Sequence, residues 1–150
     1  MQIVELENLQ TLTDFVVGNQ EVGLSVRELS KFPNLGGKLC IQNLHKVIDV
    51  SEVFDAKLKR KERIEELDVY WDEQTEDSPS QEVILEELQP SIYLKKLSIG
   101  FYGGKSFPSW LGDFSFWNMV YLCIKSWVFH NISSTRAITF PQRIGDHWYE

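Results

Sequence analysis

The chain has 150 residues, 43% apolar and 13% aromatic, enough to pack one core and too few for two ordinary domains. A formal charge of -7 and an isoelectric point near 5.0 disfavour a nucleic-acid partner, which is held by lysines and arginines set against phosphates. Met1-Gln2-Ile3-Val4-Glu5 has no basic head before an apolar run, and no stretch reaches bilayer length, so the chain reads as soluble and cytoplasmic.

A short strand pattern opens with Leu9-x-x-Leu12. Ser25-Val26-Arg27-Glu28 then has the form of a capping box, with Val22, Val26 and Leu29 at helical spacing, and Pro33 ends that helix near Phe32. The strand Leu39-Cys40-Ile41 leads to a predicted helix over residues 52–63, with Phe54 and Leu58 on one face and Lys57, Lys59, Arg60 and Lys61 as a solvated basic face. Ile64-x-x-Leu67-Asp68-Val69 reads as the next strand, followed by an acidic loop over residues 72–77 that should be exposed and mobile. Ser78-Pro79-Ser80-Gln81 starts a helix carrying Val83, Ile84, Leu85 and Leu88, closed by Pro90. Two more strands come after it, Leu94-x-x-Leu97-Ser98-Ile99 and Met119-x-x-Leu122-Cys123-Ile124.

Taking Leu12, Leu39, Leu67, Leu97 and Leu122 as equivalent, the steps are 27, 28, 30 and 25 residues, close to the roughly 20–29 of leucine-rich repeats. The expected fold is an α/β solenoid of about five irregular repeats over residues 1–125, a curved parallel sheet with helices on the convex side. Residues 126–150 read as a divergent tail, open to disorder, with no clear period from 135 on. Leucines and isoleucines of the pattern point inward; the residues alternating with them point to the concave face. These are Thr13, Lys38, Cys40, Gln42, Glu66, Asp68, Tyr70, Lys96, Ser98, Tyr121, Cys123 and Lys125, and they form the expected protein-binding surface. The template's ninth position, commonly asparagine or cysteine, holds Leu44, Asp72, Tyr102 and Trp127, and repeat one has Asp14 where an inward aliphatic is expected.

The strings Leu9-Gln10-Thr11-Leu12-Thr13-Asp14-Phe15-Val16-Val17-Gly18, Gly37-Lys38-Leu39-Cys40-Ile41, Leu67-Asp68-Val69-Tyr70-Trp71 and Tyr102-Gly103-Gly104-Lys105-Ser106-Phe107-Pro108-Ser109-Trp110-Leu111-Gly112-Asp113 carry a resemblance. The chain resembles, over residues 1–125, the first leucine-rich repeats of plant coiled-coil nucleotide-binding disease resistance proteins. The resemblance implies a module that holds a nucleotide-binding switch inactive and meets a pathogen effector or a guarded host protein; the switch itself is absent from this chain. After Lys125 the sequence departs from the family pattern.

Gly103-Gly104-Lys105-Ser106 holds the end of a phosphate-binding loop, but the required earlier glycine is Ile99 and Pro108 interrupts the following helix, so a turn accounts for it better. Cys40 and Cys123 sit about three strand spacings apart, beyond disulfide reach, and His45, His130 and His147 form no ligand spacing with them. No cofactor or metal is expected. Residues 65–87 hold ten carboxylates and no lysine or arginine, read as a solvated acidic face with an electrostatic docking patch as the rival. Trp71, Phe107, Trp110, Phe114, Phe116 and Trp117 read as core and turn packing rather than a ligand pocket. Asn131-Ile132-Ser133 matches the glycosylation triplet without a secretory signal to bring it into use. The leading expectation is therefore a non-enzymatic protein-binding module in defence. The alternative is a truncated relic whose uncapped solenoid has no independent activity. A nucleotide hydrolase rests on Gly104-Lys105-Ser106 alone, and a ubiquitin-ligase substrate receptor lacks an adaptor segment before Leu9.

Overall fold

A computed structural model describes residues 10–18, 24–72, 79–104, 106–112, 118–128 and 132–139. Strands β1 (Asp14–Val16), β2 (Gly37–Gln42), β3 (Ile64–Tyr70), β4 (Lys96–Tyr102) and β5 (Tyr121–Val128) lie side by side in chain order and pair in parallel. β6 (Ile132–Thr139), within the segment read as a divergent tail, joins β5 antiparallel. Parallel strands that neighbour one another in chain order, joined by turns and short helices, make the leucine-rich repeat solenoid that the spacing predicts.

The register builds the core. Leu39, Leu67, Leu97 and Leu122 stand opposite one another on successive strands, and so do Phe15, Ile41, Val69, Ile99 and Ile124. Strand side chains alternate in direction, so these two ladders, two residues apart, fill the same face. All but Ile124 are buried, each fully buried aliphatic contributing about 1.5–3 kcal/mol relative to exposure. The opposite wall of the core comes from the connections, through Val26, Leu29, Val53, Leu58, Ile84 and Leu88.

Those connections are tighter than the periodicity predicts. Val26–Lys31 is a 3-10 helix. Ser25 Oγ accepts from the Arg27 amide at 3.2 Å and donates to Glu52 at 2.6 Å, while Glu28 pairs with Lys31 at 2.6 Å, so no reciprocal capping box forms. The expected helix over residues 52–63 is also broken. Its α-helical part, α1, covers only Ser51–Asp55; Lys57 is left-handed at φ 58°, and a 3-10 turn, Leu58–Arg60, comes next. This break turns the apolar face: Val53, Ala56 and Leu58 go inside, and Phe54 is left 69% exposed. Lys61, assigned by sequence to the solvated basic face, is buried, with Nζ donating to the Phe32 carbonyl at 2.8 Å. The third connection, α2 (Pro79–Glu87), forms where the sequence predicts a helix, with Ile84 and Leu85 inside; Ser78 of the cap signal lies outside the described residues.

Repeat one needs a further correction. Asp14 pairs with Cys40 and Phe15 with Ile41, so Leu12 is not the equivalent of Leu39. Phe15 and Val17 are the buried residues of this strand, and Asp14 stands outward rather than at an inward position.

Candidate protein-binding face

Alternation and register together place the outward side chains in three rows. One row runs Lys38, Glu66, Lys96, Tyr121; the next runs Asp14, Cys40, Asp68, Ser98, Cys123. The third ends Tyr70, Gly100, Lys125, and Val16 pairs with Gln42 at its beginning. All eleven residues expected on the concave face from Lys38 onward thus share one surface. Asp14 and Val16, not Thr13, extend it into repeat one. The signal that could have found them is the Phe15-x-Val17 alternation, hidden by the search for leucine.

Charge on this face is paired between repeats. Lys38 Nζ lies 3.3 Å from Asp68, Lys96 Nζ 3.4 Å from Glu66, and at the strand entrance Lys95 Nζ 3.1 Å from Glu65. Gln42 Nε2 donates to Asp14 at 3.4 Å. The Asp68 carboxylate beside Lys38 holds that ammonium above its ordinary range. Of the ten carboxylates read as a solvated patch, Glu65, Glu66 and Asp68 are therefore cross-repeat partners, and those of residues 73–78 lie outside the described residues.

Beside these pairs the face carries neutral side chains. Tyr70 lies over Gly100, where a Cβ would overlap its ring, so glycine is required for the ring to lie flat on the next strand. Burial first, then the charge of Asp68, pushes the Tyr70 hydroxyl above its usual range. Cys40 and Cys123 are buried free thiols, separated in their row by Asp68 and Ser98. Burial, with Asp68 and Asp14 adding to it, pushes Cys40 up to about 11, so it stays a protonated, weakly nucleophilic thiol at neutral pH.

On the convex side α2 grips the turn after β4. The amide of Gly103 donates to Gln81 Oε1 at 2.7 Å, that of Ser106 to Glu82 at 3.2 Å, and that of Ser109 to Glu86 at 2.8 Å. Trp110 Nε1 donates to the Leu85 carbonyl at 3.1 Å, and the Tyr102 hydroxyl to the Ser106 carbonyl at 2.6 Å. Two amides of this string, those of Gly103 and Ser106, are thus taken by amide and carboxylate oxygens, and the ring of Tyr102 and the stem of Glu82 lie against Gly104. Tyr102, at the template's ninth position, performs the turn-bonding that asparagine performs elsewhere. Its ring packs 5.3 Å from Trp71 and 6.0 Å from Phe107. Trp71 and Trp110 are core residues; Phe114, Phe116, Trp117, His130 and His147 lie outside the described residues. Among the described residues no group of three or more metal-ligating side chains comes together, and no helix is long and apolar enough to cross a membrane.

The family profile of R13L1/DRL21 LRRs matches residues 26–139. The chain is 35% identical over 122 residues to disease resistance RPP13-like protein 1 of Arabidopsis thaliana, covering 75% of this chain and 11% of that protein. It is 35% identical over 123 residues to disease resistance protein RGA4 of Solanum bulbocastanum, covering 79% of this chain and 12% of the relative. RGA1 of the same species is 32% identical over 117 residues, 78% of this chain and 12% of its own length. The chain therefore spans about a tenth of the length of the curated relatives it matches. No solved structure matches it.

Proposed function

We propose, from the premise that this chain belongs to the R13L1/DRL21 leucine-rich repeats of plant disease resistance proteins, that its concave face is a protein-docking surface used in defence. The observation that supports this reading is the register of the outward positions, which stacks polar and charged side chains from Lys38 to Lys125 on one sheet face, with Cys40 and Cys123 buried among them. A face whose rows vary while its core ladders stay aliphatic can read a partner without touching the fold. Three partners suit this role in the cytoplasm: a nucleotide-binding switch of the kind such proteins carry, a pathogen effector, or a guarded host protein. The module acts by recognition and by restraint of that switch rather than by catalysis.

The switch is the partner to test first. Affinity of the 150-residue chain for the nucleotide-binding region of a plant coiled-coil nucleotide-binding resistance protein is measured by biolayer interferometry, for wild type and for the E66K/D68K double variant. At least a tenfold loss in the variant is expected, since two carboxylates at the face centre become cations. Equal affinity of the two proteins would overturn the assignment of the face.

A further inference from the structure

The side of the molecule opposite the concave face carries a groove. A groove of about 390 Å³ separates the turn after α1 from the end of α2. Phe54, Lys57, Leu58, Lys59 and Arg60 line it as one wall, and Glu86, Glu87 and Gln89 as the other. Phe54 is among the most exposed large apolar side chains of the described residues, at 69%.

The cations of this wall differ from most others on the surface. Arg27, Lys31, Lys38, Lys95 and Lys96 each have a carboxylate within ion-pair distance. Lys57, Lys59 and Arg60 have none among the described residues; Lys46, Arg63 and Lys125 also have none but stand outside this groove. The facing carboxylate of Glu86 is already engaged by the amide and hydroxyl of Ser109. Three unpaired cations gathered beside an exposed aromatic, in a chain of net charge -7, form a local cluster that a negatively charged partner would complete.

We infer that this convex groove docks an extended protein segment that bears acidic residues beside a large apolar side chain. The apolar group would cover Phe54, and the carboxylates would meet Lys57, Lys59 and Arg60. The far wall selects against a uniform polyanion: a nucleic acid or an anionic membrane would bring its charge against Glu86 and Glu87 as well. An extended peptide avoids this, because alternate side chains point to opposite sides and only one side need be acidic.

Fluorescence anisotropy with the full chain tests the proposal. The probe is a labelled peptide with aspartate at alternate positions around a central Leu-Phe pair; its controls are the same peptide with asparagine for aspartate, or with Ser-Ser for Leu-Phe. The aspartate peptide is expected to bind, and to bind at least tenfold more weakly to K59E/R60E and, separately, to F54S. All three substituted side chains are exposed, so circular dichroism should match wild type. The concave variant E66K/D68K should bind the peptide as wild type does, which keeps this test independent of the concave-face reading. The inference falls if wild type does not bind, if the asparagine or Ser-Ser peptide binds equally, or if F54S has no effect. It also falls if E66K/D68K weakens binding as much as K59E/R60E, or if phosphatidylserine vesicles compete the peptide off the groove.

Discussion

Lys61 shows how a pattern can misplace a single side chain, and how its true position sets its chemistry. It belongs to a basic run that periodicity sets on the solvent side, but the left-handed Lys57 turns the chain so that Lys61 packs beneath repeat two against Phe32. Loss of hydration first, and the nearby charge of Lys57 second, bring its ammonium down to about 8 from an ordinary 10.5. The folded value lies below the unfolded one, so protonation favours unfolding. The destabilisation is fully present below about pH 8, where both states carry the charge, and it fades as pH rises toward 10.5. A K61M variant is therefore expected to be more stable than wild type by roughly 1–2 kcal/mol at pH 7, after the lost bond to Phe32 is counted. Urea unfolding at pH 7 and pH 10 checks this. A gain of equal size at both pH values would show that packing, not charge, is responsible. Nothing in the sequence marks this burial, because the positive φ of Lys57 leaves no residue signature where glycine or asparagine would have announced it.

The strands are more legible in the sequence than the segments that join them. From repeat two onward, aliphatic residues at the two ladder positions fix both register and outward face, since a slip of one residue would bury Asp68 and expose Leu67. Repeat one escapes because Phe15 and Val17 supply its core contacts while Leu12, three residues before Phe15, imitates the pattern. In the connections, local signals compete with tertiary bonds: Ser25 is drawn to Glu52, which lies 27 residues away in the chain, and the capping box yields to that contact. The grip of α2 on the turn after β4 has no sequence signal at all, because it depends on side chains meeting amides more than twenty residues away. It carries its own prediction. Gln81 is buried, and replacing it with leucine leaves the Gly103 amide without its acceptor, at a cost of about 1–3 kcal/mol. Amide hydrogen exchange should accelerate at Gly103 ahead of the strand amides; unchanged protection there would mean that the bonds of Glu82, Glu86, Tyr102 and Trp110 hold the turn without Gln81.

At the scale of the whole molecule, each repeat is stabilised chiefly by its neighbours, so what stands at an edge matters. β6 covers the edge of β5 over eight paired positions from Tyr121 to Val128. A chain shortened after Lys125 loses β6 and the last part of β5. It is expected to unfold at lower urea, by on the order of 2 kcal/mol out of the roughly 5–15 typical of a domain. Far-UV circular dichroism reads this directly. A coincident midpoint for the two chains would show that residues 126–150 contribute nothing to the fold, and a shallow, non-cooperative slope in the full chain would mean that the module needs flanking repeats to fold.

The rows of the concave face also set a ruler. Sites along a row, such as Cys40, Asp68 and Ser98, recur at the strand spacing of about 4.8 Å. A helix laid along a row advances about 5.4 Å per turn, so after four strands it is out of step by only about 2–3 Å. An extended chain in the same direction repeats its side about every 6.6 Å and loses step after the second strand. The pitch of the sheet is thus matched more closely by a helical repeat than by an extended one, before any particular side chain has been chosen.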